Sequence, residues 1–175
     1  MRDHLLRRVV HAFGSISLLY YVIPSRHLVL TLAFSVVGII EILRLKGKIN
    51  LIGMRDYEKN RISGFFFFAT GVAILLNFFP CQIAVPCILC ASFADPIVGE
   101  LKRKMKKEIA YVVMFVFSFI VFFIILNSST MPPLTASMLG AASVVLGEIM
   151  GCRWIDDDLL IQILPAILLY PFHFL

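Results

Sequence analysis

The sequence predicts an all-α membrane protein, a bundle of about seven transmembrane helices with a cytoplasmic N-terminus. Of its 175 residues, 60% are hydrophobic and 15% are charged, and the mean hydropathy is +0.93, which is more apolar than a soluble domain of this length needs. The longest polar interval, about residues 44–63, is too short to bury a core of its own. The chain is therefore predicted to form a single integral membrane domain over residues 1–175.

Each predicted span is an apolar segment of about 20 residues, or fewer where polar ends reach the interface. The first follows a basic start typical of a signal sequence, but no small-residue cleavage site follows it, so we expect a retained span. The chain reverses at breakers such as Pro24, Pro80 and the pair Pro132-Pro133. The predicted spans cover residues 6–23, 28–43, 63–79, 82–99, 109–126, 134–150 and 159–174.

The positions of the charges predict the orientation of these spans. With the N-terminus in the cytoplasm, every lysine and arginine except Arg26 falls on the cytoplasmic side, as the positive-inside rule requires. The acidic residues also lie at or near that side, whereas the opposite loops, residues 79–82 and 127–133, carry no charge. A conduit would place polar groups at mid-depth or on both sides. This pattern favours an enzyme in the cell membrane that meets a soluble substrate at the cytoplasmic surface and a lipid in the bilayer.

Two basic clusters lie on the predicted cytoplasmic side. In Arg7-Arg8-x-x-His11, Arg8 and His11 share a helix face, which suits a phosphate clamp with His11 as a proton acceptor or, alternatively, a topology signal with a snorkelling histidine. The second cluster, RDYEKNRISG at residues 55–64, alternates in charge as solvated loops often do. It abuts the third span and ends in Ser63-Gly64, a pair that lets a backbone approach a ligand closely.

Two acidic clusters complete this face. Asp95, in CASFADPIVGE at residues 90–100, has Gly99 one turn further along the same helix face and is followed by Pro96, which breaks the backbone ladder. Asp95 either pairs with an arginine or holds Mg²⁺, while the basic run from Lys102 meets the phosphates of a nucleotide. The run Asp156-Asp157-Asp158, just before the seventh span, either complements a helix dipole or, with Glu148 near the end of the sixth span, contributes further Mg²⁺ ligands.

Taken in order, the motifs resemble the CTP-dependent polyprenol (dolichol) kinase family, with the phytol kinases and the CTP-using diacylglycerol kinases as close relatives. The motifs are R-R-x-x-H, R-x-x-E-x-x-R-I-S-G, A-S-F-A-D-P-x-x-G, and E followed by I-D-D-D-L, spread from Arg7 to Leu159. The chain departs from the family after Gly99, where ELKRKMKKEIAY replaces a second glycine and a K-T-x-E-G element. It also has Asp158 where relatives often have the asparagine of D-D-N-L.

The resemblance implies a kinase that transfers the γ-phosphate of CTP to the hydroxyl of a polyprenol, a dolichol or a related lipid alcohol, with Mg²⁺ as cofactor. It gives family roles to Arg8, His11, Arg55, Glu58, Arg61, Asp95, Gly99, Glu148, Asp156 and Asp157. With the clusters above, we expect Asp95 and His11 to be catalytic and Asp95, Glu148, Asp156 and Asp157 to bind the metal. Nucleotide and phosphate contacts are expected from Arg8, Arg55, Glu58, Arg61, Ser63, Gly64, Gly99, Lys102 and Arg103.

The expected partners are the lipid alcohol, the nucleotide and the membrane lipids, with no role for nucleic acid. The GAAS stretch at residues 140–143 suits close helix packing, either within one chain or between the copies of a homodimer. Two alternative functions remain from the sequence. One is a cytidylyltransferase that makes a CDP-lipid and releases pyrophosphate, and the other is a small non-enzymatic transporter or assembly protein.

Overall fold

The computed structural model describes residues 9, 11–51, 54, 58, 61–127, 132–152 and 155–174, and these residues form helices and connecting turns without a strand. Residues 11–13 are α-helical and lead into a 3₁₀ helix at Gly14–Tyr21, and a second 3₁₀ helix at Tyr170–Phe174 follows the last α-helix. The longer α-helices are α1 Arg26–Leu45, α2 Gly64–Phe78, α3 Cys81–Leu89, α4 Asp95–Lys104, α5 Lys107–Leu126, α6 Pro133–Met150 and α7 Asp157–Leu169. The predicted all-α class is confirmed.

Four helices within the described ranges are long and apolar enough to cross a membrane: α1, the continuous helix Cys81–Lys104, α5 and α6. Helix α2 is apolar but has 15 residues, and α7 has 13 residues before the chain tightens into the terminal 3₁₀ helix. In the segment predicted as the first span, residues 6–23, the described residues 11–13 are α-helical and Gly14–Tyr21 form an eight-residue 3₁₀ helix. The Ser15 hydroxyl donates to the carbonyl of Ala12 at 2.7 Å there, a local bond that competes with the α-helical ladder.

The helix Cys81–Lys104 changes its geometry just before Asp95. Pro96 has no N–H for an i→i−4 bond, and the backbone widens into a π-helix over Cys90–Ala94, where the Asp95 N–H donates to the Cys90 carbonyl. Single π-helical turns inside α-helices occur frequently at functional sites. The predicted break in the ladder at Pro96 therefore takes the form of a π-bulge, and it sets the rotation of Asp95 relative to the apolar half of the helix.

Helix α7 lies in the core, where it packs against α6, α2 and α3. Gly147 allows α6 to approach it closely, because a Cβ at that position would lie 2.8 Å from the backbone nitrogen of Ile161. Gln162 is fully buried and joins α7 to α2, since its Nε2 donates to the carbonyls of Phe68 at 3.2 Å and Asp158 at 2.8 Å. Gly71 makes room for that amide, which a Cβ there would meet at 2.7 Å.

Helix α1 lies at the edge of the bundle and is attached at both of its ends. Its outward face is apolar and exposed, at positions such as Leu32 and Val36. Near its start, His27 Nδ1 lies 3.1 Å from the Tyr20 hydroxyl and 3.4 Å from Asn77 Oδ1. The buried positions of this helix are Glu41 and Arg44, near its C-terminal end.

Candidate functional site

Carboxylates from three helices meet at one end of the bundle. Asp95 begins α4, Glu148 lies in the last turn of α6 and Asp157 begins α7. One oxygen from each of these carboxylates lies within 4.8 Å of the other two. These residues, called the acid cluster below, were all predicted to bind Mg²⁺, and the structure brings them together from three separate helices.

The acid cluster offers the ligands that Mg²⁺ prefers. Mg²⁺ takes oxygen ligands and is usually held by one or two carboxylates together with the phosphates of a substrate. The side chain of Glu148 is only 5% exposed, and its Oε2 is buried without a hydrogen-bond partner within the described part of the chain. A buried carboxylate oxygen in that state is costly unless it meets a proton or a cation, so the donor set fits the metal.

Lys102 holds the other oxygen of Glu148. Its ammonium group forms an ion pair with Glu148 Oε1 and lies over the ring of Tyr111, 4.6 Å from the centroid. Lys102 was predicted to contact nucleotide phosphates. In the structure it lies beside the acid cluster, where it orients Glu148 and supplies positive charge.

In the run Asp156-Asp157-Asp158, one residue caps helix α7 and another belongs to the acid cluster. Asp156 is the N-cap of α7, and its Oδ1 accepts from the Asp158 N–H at 3.2 Å. Asp157 Oδ1 also accepts from that N–H, at 3.1 Å, and Asp157 belongs to the acid cluster. The acids of this run therefore complement the helix dipole, and Asp157 also lies among the carboxylates of the acid cluster. Metal binding by Asp156 and Asp157 stays a prediction.

His11 lies against two carboxylates and two aromatic rings. Its Nδ1 is 3.6 Å from Asp158 Oδ1 and 3.8 Å from Asp95 Oδ2. Its ring centroid lies 6.2 Å from that of Phe65 and 5.0 Å from that of Phe68. The two residues predicted to be catalytic, Asp95 and His11, are thus neighbours, and the start of α2 adjoins them.

Asp158 belongs to the acidic run that the sequence singled out, but it was not among the residues predicted to bind the metal. It is 1% exposed and stands on the buried face of α7 with Ile161, Gln162 and Pro165. That face repeats at helical spacing, so the position of Asp158 in register with buried residues was the available signal.

A second network joins the end of α1 to the start of α2. Arg44 Nε donates to Glu41 Oε2 at 2.9 Å and Arg44 Nη2 donates to Glu41 Oε1 at 2.6 Å. Glu41 also accepts from Ser63, at 2.7 Å from the backbone N–H and 2.9 Å from the hydroxyl. The sequence reasoning counted Glu41 and Arg44 as charges at a membrane face, although a glutamate three residues before an arginine at the end of an apolar span predicts a pair.

This network holds the described residues Glu58, Arg61 and Ser63 of the motif at residues 55–64. Arg44 Nη1 donates to the carbonyl of Glu58 at 3.0 Å, and its Nη2 donates to the carbonyl of Arg61. Ser63 caps α2, because its hydroxyl accepts from the Phe66 N–H at 3.2 Å, and Gly64 begins that helix. Nucleotide contacts from Glu58, Arg61, Ser63 and Gly64 stay predictions.

The remaining predicted residues lie on α4 or outside the described residues. Gly99 and Arg103 are exposed, and a Cβ at Gly99 would meet nothing within 4 Å. The surface one turn beyond Asp95 is therefore open. Arg8 and Arg55 lie outside the described residues.

No protein-family model matches the chain. No curated protein and no solved structure matches it significantly. The functional conclusion therefore depends on the side chains of the site and on the ordered motifs that contain them.

Proposed function

We propose that the protein is a Mg²⁺-dependent lipid-alcohol kinase that transfers the γ-phosphate of CTP to a polyprenol, a dolichol or a related isoprenoid alcohol at the cytoplasmic face of the cell membrane. The observation that carries the proposal is the meeting of Asp95, Glu148 and Asp157 beside Lys102, at one end of an apolar helix bundle. Phosphoryl transfer depends mainly on positioning and on neutralisation of charge. The choice of CTP and of an isoprenoid acceptor comes from the resemblance of the motifs.

The proposed topology has about seven spans with the N-terminus in the cytoplasm. It is supported by four helices of sufficient length and apolarity and by the lysines and arginines, which fall on one side except for Arg26. A bundle that is apolar along its length and acidic at one end suits a substrate with a long apolar tail and a terminal hydroxyl. The tail lies in the bilayer between helices, and the hydroxyl lies at the interface beside the acid cluster.

Each side chain of the site has a role in this reaction. Asp95, Glu148 and Asp157 would hold Mg²⁺, which would supply positive charge to neutralise the triphosphate. Lys102 orients Glu148 and adds a positive charge beside the phosphates. The acceptor oxygen forms a bond to the γ-phosphorus, CDP leaves, and the hydroxyl proton passes to a basic group beside Asp95. The network of Glu41, Arg44 and Ser63 positions the backbone at Glu58 and Arg61.

The proposal is tested by following γ-labelled CTP or ATP into lipid. Purified protein in detergent receives polyprenol, geranylgeraniol and diacylglycerol with Mg²⁺, and the organic phase is counted. We expect label from CTP in an isoprenoid alcohol and stoichiometric CDP. Label from ATP alone would overturn the assignment of the donor, and label in diacylglycerol alone would overturn that of the acceptor.

Two further outcomes correspond to the alternative functions. Label that enters the lipid from α-labelled CTP, with release of pyrophosphate, would indicate a cytidylyltransferase. If no label enters the lipid from γ-labelled CTP, γ-labelled ATP or α-labelled CTP, the result would favour a non-enzymatic membrane protein. Glu108→Gln is a suitable control for variants of the site, because Glu108 is an exposed carboxylate in the first turn of α5.

A further inference from the structure

We propose that His11, Asp95 and Asp158 form a second divalent-cation site, which prefers a transition metal such as Mn²⁺ to Mg²⁺. One nitrogen or oxygen atom from each of the three side chains lies within 4.8 Å of the other two. The site, called the histidine site below, shares Asp95 with the acid cluster. It deepens the proposed function and rests on it through that shared carboxylate.

The distances in the histidine site fit ligands of a common ion. Nδ1 of His11 lies 3.6 Å from Asp158 Oδ1 and 3.8 Å from Asp95 Oδ2, which is longer than the roughly 2.7–3.2 Å of an N–H···O hydrogen bond. Nitrogen and oxygen ligands lie about 2.0–2.2 Å from a bound metal. Two such ligands on one ion are therefore about 3–4 Å apart, as these atoms are.

Burial strengthens the requirement for a cation. His11 is 2% exposed and Asp158 is 1% exposed, and the rings of Phe65 and Phe68 pack on the imidazole. Carboxylates buried beside aromatic rings interact strongly with a nearby positive charge, because the surroundings screen it poorly. A divalent ion at Nδ1 would make His11 a metal ligand in place of the proton acceptor that the sequence predicts.

The donor atoms distinguish the two sites. The acid cluster offers oxygen alone, which suits Mg²⁺, whereas an imidazole nitrogen with two carboxylates favours a transition metal. Glu148, whose Oε2 is buried without a described partner, groups with Asp95 in the acid cluster, and Asp158 groups with Asp95 in the histidine site. A carboxylate common to two ligand sets can hold two ions about 3.5–4 Å apart, the spacing of two-metal phosphoryl-transfer sites.

The test measures bound Mn²⁺ by pulsed electron paramagnetic resonance on purified full-length protein in detergent, without nucleotide or lipid. We expect a ¹⁴N coupling on bound Mn²⁺ that changes to ¹⁵N when the protein is grown with ¹⁵N-histidine. His11→Gln loses this coupling. The triple variant H4Q/H27Q/H173Q retains it, since His11 is then the only histidine in the sequence. Excess Mg²⁺ displaces Mn²⁺ from the acid cluster and leaves the nitrogen-coupled ion in place.

The histidine site would be overturned if Mn²⁺ did not bind, if bound Mn²⁺ showed no histidine coupling in the wild type, or if the triple variant lost the coupling. Displacement of the nitrogen-coupled ion by Mg²⁺ would overturn the metal preference. Label transfer measured on the same preparations separates this inference from the proposed function. Transfer without nitrogen coupling rejects the site alone, and nitrogen coupling without transfer rejects the kinase alone.

Discussion

Glu41→Gln tests whether the network between α1 and α2 stabilises this end of the molecule. Glu41 accepts four hydrogen bonds, two from Arg44 and two from Ser63. Removing one partner of a buried ion pair costs about 3–5 kcal/mol, and glutamine keeps one carbonyl oxygen that can still accept. We therefore expect a loss of about 3 kcal/mol in the free energy of unfolding, which corresponds to a fall in Tm of about 6–12 °C for a chain of this size.

Thermal unfolding in detergent, followed by circular dichroism, measures this loss. Glu108→Gln makes the same chemical change at an exposed position in the first turn of α5 and should cost less than about 1 kcal/mol. A double-mutant cycle with Arg44→Met should show a coupling of about 1–3 kcal/mol between the two side chains. Equal Tm values for the two glutamine variants, or additive effects in the cycle, would refute the stabilising role of the pair.

Three further changes test the site and the packing beneath it. Asp95→Asn should lower label transfer at least about 10³-fold with an unchanged Tm, because it removes a charge from both ligand sets, and transfer near the wild-type rate would exclude Asp95 from the reaction. Gly147→Ala should lower the stability by about 1–3 kcal/mol, because the atoms that its Cβ would meet belong to the backbone of α7. The matched change Gly38→Ala, into open space, should be neutral or stabilise by up to about 1 kcal/mol, and equal thermal unfolding of the two alanine variants would contradict this packing. Removal of divalent cations with a chelator should abolish transfer and added Mg²⁺ should restore it, whereas transfer that persists in the chelator would rule out the metal requirement.

The helices could be predicted because hydropathy and helix breakers act locally. Span 109–126 corresponds to Lys107–Leu126 and span 134–150 to Pro133–Met150. The first of these helices begins earlier with Lys107 and Glu108, and the second begins with Pro133, a residue that the first turn of a helix tolerates. The 3₁₀ helix at Gly14–Tyr21 could not be predicted in this way, since hydropathy does not specify which backbone groups pair. Helix α4 likewise continues to Lys104, beyond the predicted end at residue 99, because charged side chains do not by themselves end a helix.

The position of the site was predictable from the sequence, but its pairings were not. A membrane gathers charge at the ends of helices, so the acids were expected at one end. Their contacts depend on the rotation of each helix about its axis. Asp157 and Asp158 are adjacent in sequence, yet Asp157 joins the acid cluster and Asp158 faces His11. Hydropathy is the same for both aspartates and therefore cannot predict which contacts each of them makes.

Two local features account for the convergence of these acids. Gly147 lets α6 approach the backbone of α7 at Leu160 and Ile161, and Glu148 follows it directly, so close packing of these helices brings Glu148 to the start of α7. The π-bulge at Cys90–Ala94 rotates the helix just before Asp95, and Asp95 is the carboxylate shared by both candidate metal sites. A glycine contact and a proline-induced bulge thus position the acids that meet at this end of the bundle. Pro96→Ala gives this position a backbone N–H and so favours a regular helix. The variant should therefore differ from the wild type in the binding of Mn²⁺, measured by electron paramagnetic resonance, while the span itself remains apolar.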